Sequence, residues 1–322
     1  MEGIKIIGAG SSKGDRIVTN RDMEKLVDTS DEWIRSKSGI RSRYFAESLS
    51  NADMAFFTPK KAAKEALRDA NVKPEEIAAC IVCTFTPDNH TPGVSCEVAG
   101  RLGLPESALS FDVNGACSGF IYGCVIARGL VSSIDGKYVL VIGSEKISPL
   151  VDMTDRSTCV LFGDGAGAVV LQKDSAADFA YNGGLVSDNR VLRCDGKEHF
   201  IRMEGQEVYR FAVSKASASI MALMEEQGLD DEHIDYYVCH QANERIVDNV
   251  ARRISGSSRK FFKNLYNYGN TSAASIPIAI AQMRAEGLLK GRKRLICAGF
   301  GAGLTYGSMY IEYHEKSDFS KR

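Results

Sequence analysis

The 322-residue chain reads as an α/β protein whose sheets are covered on both faces. Two observations predict this. Short β-type runs alternate with helical patterns from one end of the chain to the other. The short runs are apolar at almost every position rather than at every second one, as expected of strands with no wet face.

Taken in order, β-type runs fall at residues 4–9, 77–85, 108–113, 138–143, 160–171, 236–239, 295–299 and 305–313. Helical periodicity fills the gaps at 53–70, 94–102, 117–133, 206–227, 243–254 and 273–285. Pro59 interrupts the 53–70 pattern and marks a kink or a later helix start. No low-complexity linker divides the chain. The segment 173–194 looks loop-rich and is the seam between two halves, 1–172 and 173–322, with parallel layouts of strand, polar turn and helix.

Bulk properties narrow the function. A net charge of −1 gives no global pull toward nucleic acid or membrane. The N-terminus is too short and mixed for a signal peptide, and no apolar stretch reaches membrane-spanning length, so the expectation is a soluble cytoplasmic protein. Nine cysteines, an odd number set mostly in apolar runs, fit reduced thiols rather than a disulfide framework. Cys80 and Cys83 form a CxxC pair inside one buried strand, where residues three apart face opposite sides. No metal site is expected.

Cys117 carries the most chemistry. It follows the run 108–113 through Asn114, Gly115 and Ala116, and it opens the apolar helical pattern. A thiol at a strand-to-helix turn meets unpaired N–H groups and the positive end of a helix dipole, a field that favours the nucleophilic thiolate. A cysteine in an apolar helix is ordinarily an inert core residue; two further segments argue otherwise. His240 follows the strand 236–239 and opens His240-Gln241-Ala242-Asn243, a polar cluster at a strand's C-terminal end. Asn270 lies in Gly269-Asn270-Thr271-Ser272-Ala273-Ala274-Ser275, which by itself also reads as a helix start. The loop Gly299-Phe300-Gly301-Ala302-Gly303 has the glycines that let backbone N–H groups approach a ligand. Gly163-Asp164-Gly165-Ala166-Gly167 runs into more strand, so it reads as structural rather than as a dinucleotide loop.

Together these segments, with Asp28-Thr29-Ser30-Asp31-Glu32-Trp33-Ile34, Gly39-Ile40-Arg41 and Asp155-Arg156, resemble the 3-oxoacyl-[acyl-carrier-protein] synthase III family of the thiolase superfamily over essentially the whole chain. The resemblance implies a five-layered αβαβα fold of two similar halves and a homodimer. It implies an acyltransferase that starts fatty-acid synthesis. An acyl group moves from acyl-coenzyme A, a substrate rather than a cofactor, to Cys117; malonyl-acyl-carrier-protein then loses carbon dioxide and condenses with it.

The same resemblance distributes roles. Cys117 is the nucleophile, and its own N–H and that of Ala302 form the oxyanion hole. His240 and Asn270 are neutral donors to the malonyl thioester carbonyl, and Phe300 helps exclude water. Trp33, the only tryptophan, stacks on the adenine. Thr29, Arg156 and Asn243 contact the nucleotide or pantetheine, and Gly205 and Tyr209 line the tunnel. Lys37 stands where the family often has arginine and meets a phosphate as a point charge, without the bidentate fork. Thr91 lines the acyl pocket of the other subunit, and its small size predicts primers beyond acetyl. Arg245, with Arg210, Lys260, Lys263 and the neighbouring Arg252, Arg253 and Arg259, forms a basic face for the acidic carrier protein. The alternatives are a thiol hydrolase or transferase using His240 as general base, a specialised secondary-metabolite condensing enzyme, and an acyl-binding scaffold.

Overall fold

A computed structural model describes residues 3–56, 62–195 and 199–315. Among them the strands are β1 (Ile4–Lys13), β2 (Arg16–Thr19), β3 (Ser42–Phe45), β4 (Ile77–Cys83), β5 (Leu109–Val113), β6 (Tyr138–Glu145), β7 (Gly165–Lys173), β8 (Phe179–Leu185), β9 (Leu192–Cys194), β10 (Ile201–Met203), β11 (Tyr236–Cys239), β12 (Arg292–Gly301) and β13 (Thr305–His314). The helices are α1 (Asn20–Met23), α2 (Asp31–Ser38), α3 (Asn51–Phe56), α4 (Ala62–Ala70), α5 (Val94–Leu102), α6 (Gly119–Leu130), α7 (Arg156–Cys159), α8 (Gly205–Glu226), α9 (Glu244–Ile254), α10 (Leu265–Tyr268) and α11 (Ser275–Ala285).

Nine strands form one mixed sheet in two sets, β5-β4-β6-β7-β1 and β11-β12-β13-β8. A short parallel contact, Lys5 with Glu312 and Ile6 with Tyr313, joins them. The sets repeat one pattern of directions. β4 is parallel to β6, β6 antiparallel to β7, and β7 antiparallel to β1. Likewise β11 is parallel to β12, β12 antiparallel to β13, and β13 antiparallel to β8. Even β5, parallel to β4, has a counterpart in the parallel bridge between Tyr237 and Phe261.

Period-2 alternation then builds the layers. On β4, Ala79, Ile81 and Cys83 face a central core around α6 and α11, while Cys80 and Val82 face an outer core under α3, α4 and α5. On β12, Leu295 and Cys297 face the same central core, while Ile296, Ala298 and Phe300 face a second outer core under α8 and α9. The result is the five-layered thiolase-like arrangement, helix–sheet–helix–sheet–helix. Cys80 and Cys83 indeed point to opposite faces.

Several boundaries differ from expectation. The run 160–171 becomes strand only at Gly165; Val160 and Phe162 instead pack on a fourth core with α2 residue Ile34 and strand residue Ile201. The 53–70 pattern is two helices, α3 and α4, and Pro59 lies outside the described residues. The loop-rich 173–194 segment contains β8 and β9. Gly163, Gly165 and Gly167 are structural. A Cβ on Gly167 would sit 2.4 Å from the Ile278 nitrogen and one on Gly163 2.2 Å from the Tyr268 carbonyl oxygen, so these glycines let backbones pack closely. Among the described residues no helix is long and apolar enough to cross a membrane.

Candidate active site

Cys117 sits on a constrained turn. Asn114 Oδ1 accepts the Ala116 N–H (3.2 Å), and Ala116 is held at φ +44°, a left-handed conformation that an L-residue seldom adopts. One 3-10 turn, Ala116–Ser118, leads into α6. The turn aims the thiol into a cavity of about 550 Å³, also lined by His240, Asn270, Phe300 and Gly301. Gly301 is essential to that fit, since a Cβ there would lie 2.9 Å from the Cys117 nitrogen.

The helix terminus does not yield a resting thiolate. Burial pushes the Cys117 thiol up to about 12; a hydrogen bond with Ser272 opposes this and the nearby Glu145 charge adds to it. Desolvation outweighs the helix field, so the group rests as a thiol.

His240 ends the β11 crossover with its N–H on the Ala298 carbonyl (2.7 Å), and its Nδ1 lies 2.7 Å from Ser275 Oγ. Ser275 Oγ also accepts the Gln241 N–H (3.4 Å). When the serine donates to Nδ1, the ring hydrogen sits on Nε2. Burial lowers the imidazole pKa to about 3, so the ring is neutral. Phe300 packs edge-on against it at 5.1 Å.

Asn270 is fixed at both ends. Its N–H donates to the Leu161 carbonyl (2.9 Å), its carbonyl accepts the Gly163 N–H (3.0 Å), and its Oδ1 accepts the Ser272 N–H (2.9 Å). With the oxygen so occupied, the amide Nδ2 is the end left to donate into the cavity.

From this buried end the wall passes along Gly205, Tyr209 and Asn243 to half-buried Trp33 and exposed Lys37. Arg156 lies 4.9 Å over the Trp33 ring and donates to the Asp28 carbonyl (2.9 Å). Thr29 Oγ1 is buried without a hydrogen-bond partner. Asn243 caps α9 through Arg245 N–H (2.8 Å) and donates to the Lys37 carbonyl (3.0 Å), tying α9 to α2.

Other expected residues lie elsewhere. Ala302 is half-buried in the turn after Gly301 and is not among the cavity-lining residues. Thr91 is exposed before α5, away from this cavity. The basic face is narrower than its sequence suggests. Lys263 pairs with Glu244 (3.0 Å) and Asp248 (2.9 Å), Lys260 with Asp231 (3.2 Å) and Arg210 with Glu207 (2.9 Å). Arg245 is exposed and has no ion pair among the described residues.

Sequence reasoning passes over Glu145 and the Ser272 and Ser275 side chains. The one available signal for Glu145 is its position, a carboxylate two residues past the apolar run 138–143 at the C-terminal end of a parallel-paired strand, where α/β sheets place ligands.

A buried thiol, a neutral imidazole and an oriented carboxamide share one cavity of a thiolase-like fold, a set of groups suited to acyl transfer. Models of 3-oxoacyl-[acyl-carrier-protein] synthase III match residues 111–184 and, for its C-terminal part, 224–313. The beta-ketoacyl-[acyl-carrier-protein] synthase III of Clostridium acetobutylicum is 42% identical over 97% of this chain and 99% of its own. The crystal structure of 3-oxoacyl-[acyl-carrier-protein] synthase III from Aquifex aeolicus superposes with a TM-score of 0.89 at 41% identity, covering 96% of this chain and 99% of that one. The Pseudomonas aeruginosa enzyme structure gives 0.90 at 34% identity, over 97% and 98%. The chain belongs to the beta-ketoacyl-[acyl-carrier-protein] synthase III family.

Proposed function

We propose that this protein is the initiating condensing enzyme of a dissociated fatty-acid synthesis system. It transfers an acyl group from acyl-coenzyme A to Cys117. It then condenses that group with malonyl-acyl-carrier-protein, giving 3-oxoacyl-acyl-carrier-protein, carbon dioxide and coenzyme A. The observation that carries this reading is the convergence of Cys117, His240 and Asn270, distant in sequence, on the buried end of one cavity.

In the first half-reaction the Cys117 sulfur attacks the acyl thioester. The Cys117 N–H receives the oxyanion, and the Ala302 N–H, next in the chain to the lining residue Gly301, is the second donor; losing one such donor costs roughly a hundred- to a thousandfold in rate. In the second, the malonyl thioester carbonyl accepts from His240 Nε2–H and Asn270 Nδ2–H. Loss of carbon dioxide places charge on that oxygen, and the resulting carbon nucleophile attacks the acyl-cysteine. Neutral donors suffice, because no proton has to be removed from carbon. The depressed His240 basicity disfavours the rival reading, a hydrolase with His240 as general base, since such a base works best with a pKa near the operating pH. Phe300, against the imidazole, shields the site from water.

Trp33, stacked with Arg156, receives the adenine. Lys37 meets a phosphate, and Thr29, Asn243, Gly205 and Tyr209 follow the pantetheine. Acyl-coenzyme A is consumed as substrate, and the chemistry calls for no separate cofactor. Thr91 lines the acyl pocket of the other subunit in a homodimer and admits primers longer than acetyl. Arg245, exposed and without an ion pair among the described residues, leads carrier-protein docking, with Arg210, Lys260 and Lys263 in support. The halves 1–172 and 173–322 are the two thiolase-like units, a division supported by the repeated strand pattern. The working compartment is the cytoplasm.

The test is intact-protein mass spectrometry after incubation with a series of acyl-coenzyme A primers, followed by carbon dioxide release on adding malonyl-acyl-carrier-protein. The expected result is one acyl adduct, absent in Cys117→Ala, that malonyl-acyl-carrier-protein discharges. An adduct elsewhere, or one lost to water without condensation, rejects the assignment.

A further inference from the structure

Glu145 ends β6 and is wholly buried, and its two oxygens have different neighbours. Oε2 accepts from Thr84 Oγ1 (3.1 Å), the Phe85 N–H (3.2 Å) and Thr86 Oγ1 (2.6 Å). Oε1 accepts from Ser272 Oγ (3.0 Å). Four donors thus converge on one carboxylate, and among the described residues no cation pairs with it; Lys146 turns its ammonium to the Leu49 carbonyl (2.7 Å). A buried carboxylate without a cation is costly to keep. Ser272 is where this carboxylate reaches the active site. The serine is 1% exposed and held at φ +49°, and its N–H donates to Asn270 Oδ1 (2.9 Å). That bond occupies the carboxamide oxygen and leaves Asn270 Nδ2 as the end that donates into the cavity.

The chain carries its own control. Asn114 and Ala116 make the same turn, at φ +44°, with no hydroxyl and a longer bond of 3.2 Å. Strand register gives Glu145 a counterpart as well. Gly143 pairs with Cys83 and Ala298 with Cys239, each cysteine the last residue of its strand. Phe300, two residues past Ala298, therefore stands in the second half where Glu145 stands in the first. The fold makes both the turn and the strand end without a polar tether. The tether is present at the turn whose asparagine lines the cavity, and absent at the one whose asparagine does not.

We propose that Glu145 is a positioning residue for decarboxylation: through Ser272 it clamps the turn that aims the Asn270 carboxamide at the malonyl carbonyl. This deepens the condensing reading and rests on it. The carboxylate touches no reacting atom, and no proton moves to or from it. Its effect is one of placement, and placement has a scale. A misplacement of 1 Å costs about a hundredfold in rate. Slack of about 0.3 Å, the difference between the 3.2 Å and 2.9 Å bonds of the two turns, scales on that basis to about fourfold.

The test is carbon dioxide release from malonyl-acyl-carrier-protein on pre-acylated, full-length enzyme. Wild type is compared with Ser272→Ala, Glu145→Ala and Glu145→Gln, each made with and without Asn270→Ala. Ser272→Ala and Glu145→Ala should slow release by a common factor of about fourfold or more. Glu145→Gln should hold the wild-type rate, because its amide oxygen takes the donors of residues 84–86 and its amide nitrogen still meets Ser272 Oγ. With Asn270→Ala in place, none of the three should slow release further, whereas a general loosening of the site would. Ser272→Ala at the wild-type rate overturns the proposal, as does Glu145→Gln as slow as Glu145→Ala, or an undiminished further loss beside Asn270→Ala. Should Glu145→Ala fail to fold, Ser272→Ala decides alone, since Ala116 shows that the turn accepts alanine. A crystal structure of Ser272→Ala needs no substrate. In it the contact from the residue-272 N–H to Asn270 Oδ1 should lengthen toward the 3.2 Å of the first turn, and an unchanged contact overturns the proposal. A lengthened contact, beside a wild-type protein that takes up no acyl group, counts against the condensing reading instead.

Discussion

Ser275→Ala isolates the second half-reaction. Ser275 is 2% exposed, and alanine leaves the start of α11 intact while removing the proton that Ser275 directs at His240 Nδ1 over 2.7 Å. Two effects follow. A buried ring nitrogen loses its partner, which costs about 1–3 kcal/mol of stability. The imidazole is also released to its other tautomer, in which Nε2 offers the malonyl carbonyl a lone pair instead of an N–H. The lost bias is that of one hydrogen bond, about 0.5–1.5 kcal/mol. Once that bias is gone the two tautomers approach equal populations, so about half the rings present the donor and decarboxylation slows about twofold. His240→Ala, which deletes the donor outright, slows it about a hundred- to a thousandfold. The assay is carbon dioxide release from malonyl-acyl-carrier-protein on pre-acylated enzyme, beside single-turnover acylation from acyl-coenzyme A. Acylation should stay at the wild-type rate in both variants, because the proposed donors act on the malonyl carbonyl. Equal loss in the two half-reactions, or Ser275→Ala decarboxylating like wild type, refutes the tautomer argument.

Three further outcomes are expected. Gly301→Ala places a Cβ 2.9 Å from the Cys117 nitrogen and 3.0 Å from its Cβ; single-turnover acylation should fall about a hundredfold or more, the worth of an oxyanion donor, and an unimpaired rate sinks the proposed use of that N–H. Burial pushes the Glu145 carboxyl from its ordinary 4.5 up to about 7, so the fold holds its proton more tightly than the unfolded chain. The stability this contributes is complete below pH 4.5 and lost as pH rises through 7. Glu145→Gln does not titrate, so in urea unfolding its stability relative to wild type should rise by about 3 kcal/mol between pH 4.5 and 8; a pH-independent difference contradicts burial as the cause. Arg245→Glu should weaken use of malonyl-acyl-carrier-protein several-fold, with a steep salt dependence, and leave acyl-coenzyme A loading unchanged; parallel loss in both half-reactions argues against docking at that residue.

How much of this was legible depends on what each element leans on. The strands β4, β6 and β11 declare themselves because both faces are buried and every residue type is constrained. β8 does not. It contains Asn182, Gly183 and Gly184, and Gly183 must lie against the Tyr306 backbone, so its strand character comes from β13 and not from its own residues. The apolar run at Val160, Leu161 and Phe162 misleads in the opposite sense, because a packed loop core and a strand both demand apolar residues. Cys117, His240 and Asn270 stand out as reactive or polar residues at turns. Glu145 does not, since its surroundings are assembled from the 84–86 loop and the Ser272 turn, far away in sequence. The thiol's protonation is the clearest failure of local reasoning. Position at a helix terminus argues for a thiolate, and only the enclosing cavity reveals that desolvation prevails.

The turn that presents the thiol is made twice. Asn114 accepts the N–H of the residue two further on, Ala116, at φ +44°; Asn270 accepts that of Ser272, at φ +49°. In each case a 3-10 turn begins at that residue and a central helix begins three residues later, at Gly119 and at Ser275. What differs is the cargo. Position four of the motif is Cys117 in one copy and Ala273 in the other; position six is Gly119 in one and Ser275 in the other. The exchange follows from packing. The two turns meet back to back, where a Cβ on Gly119 would come within 3.3 Å of Cys83 Cβ and 3.4 Å of Ala273 Cβ. A side chain is therefore crowded in the first copy at the place where, in the second, a serine lies 2.7 Å from His240 Nδ1. The same contact sets the thiol and the carboxamide relative to one another, because each hangs from its own copy of the turn. A reaction with two half-steps needs a nucleophile and a separate pair of donors held at one fixed spacing. Packing one turn against its own repeat supplies that spacing from backbone geometry, with side-chain identity left free to divide the chemistry.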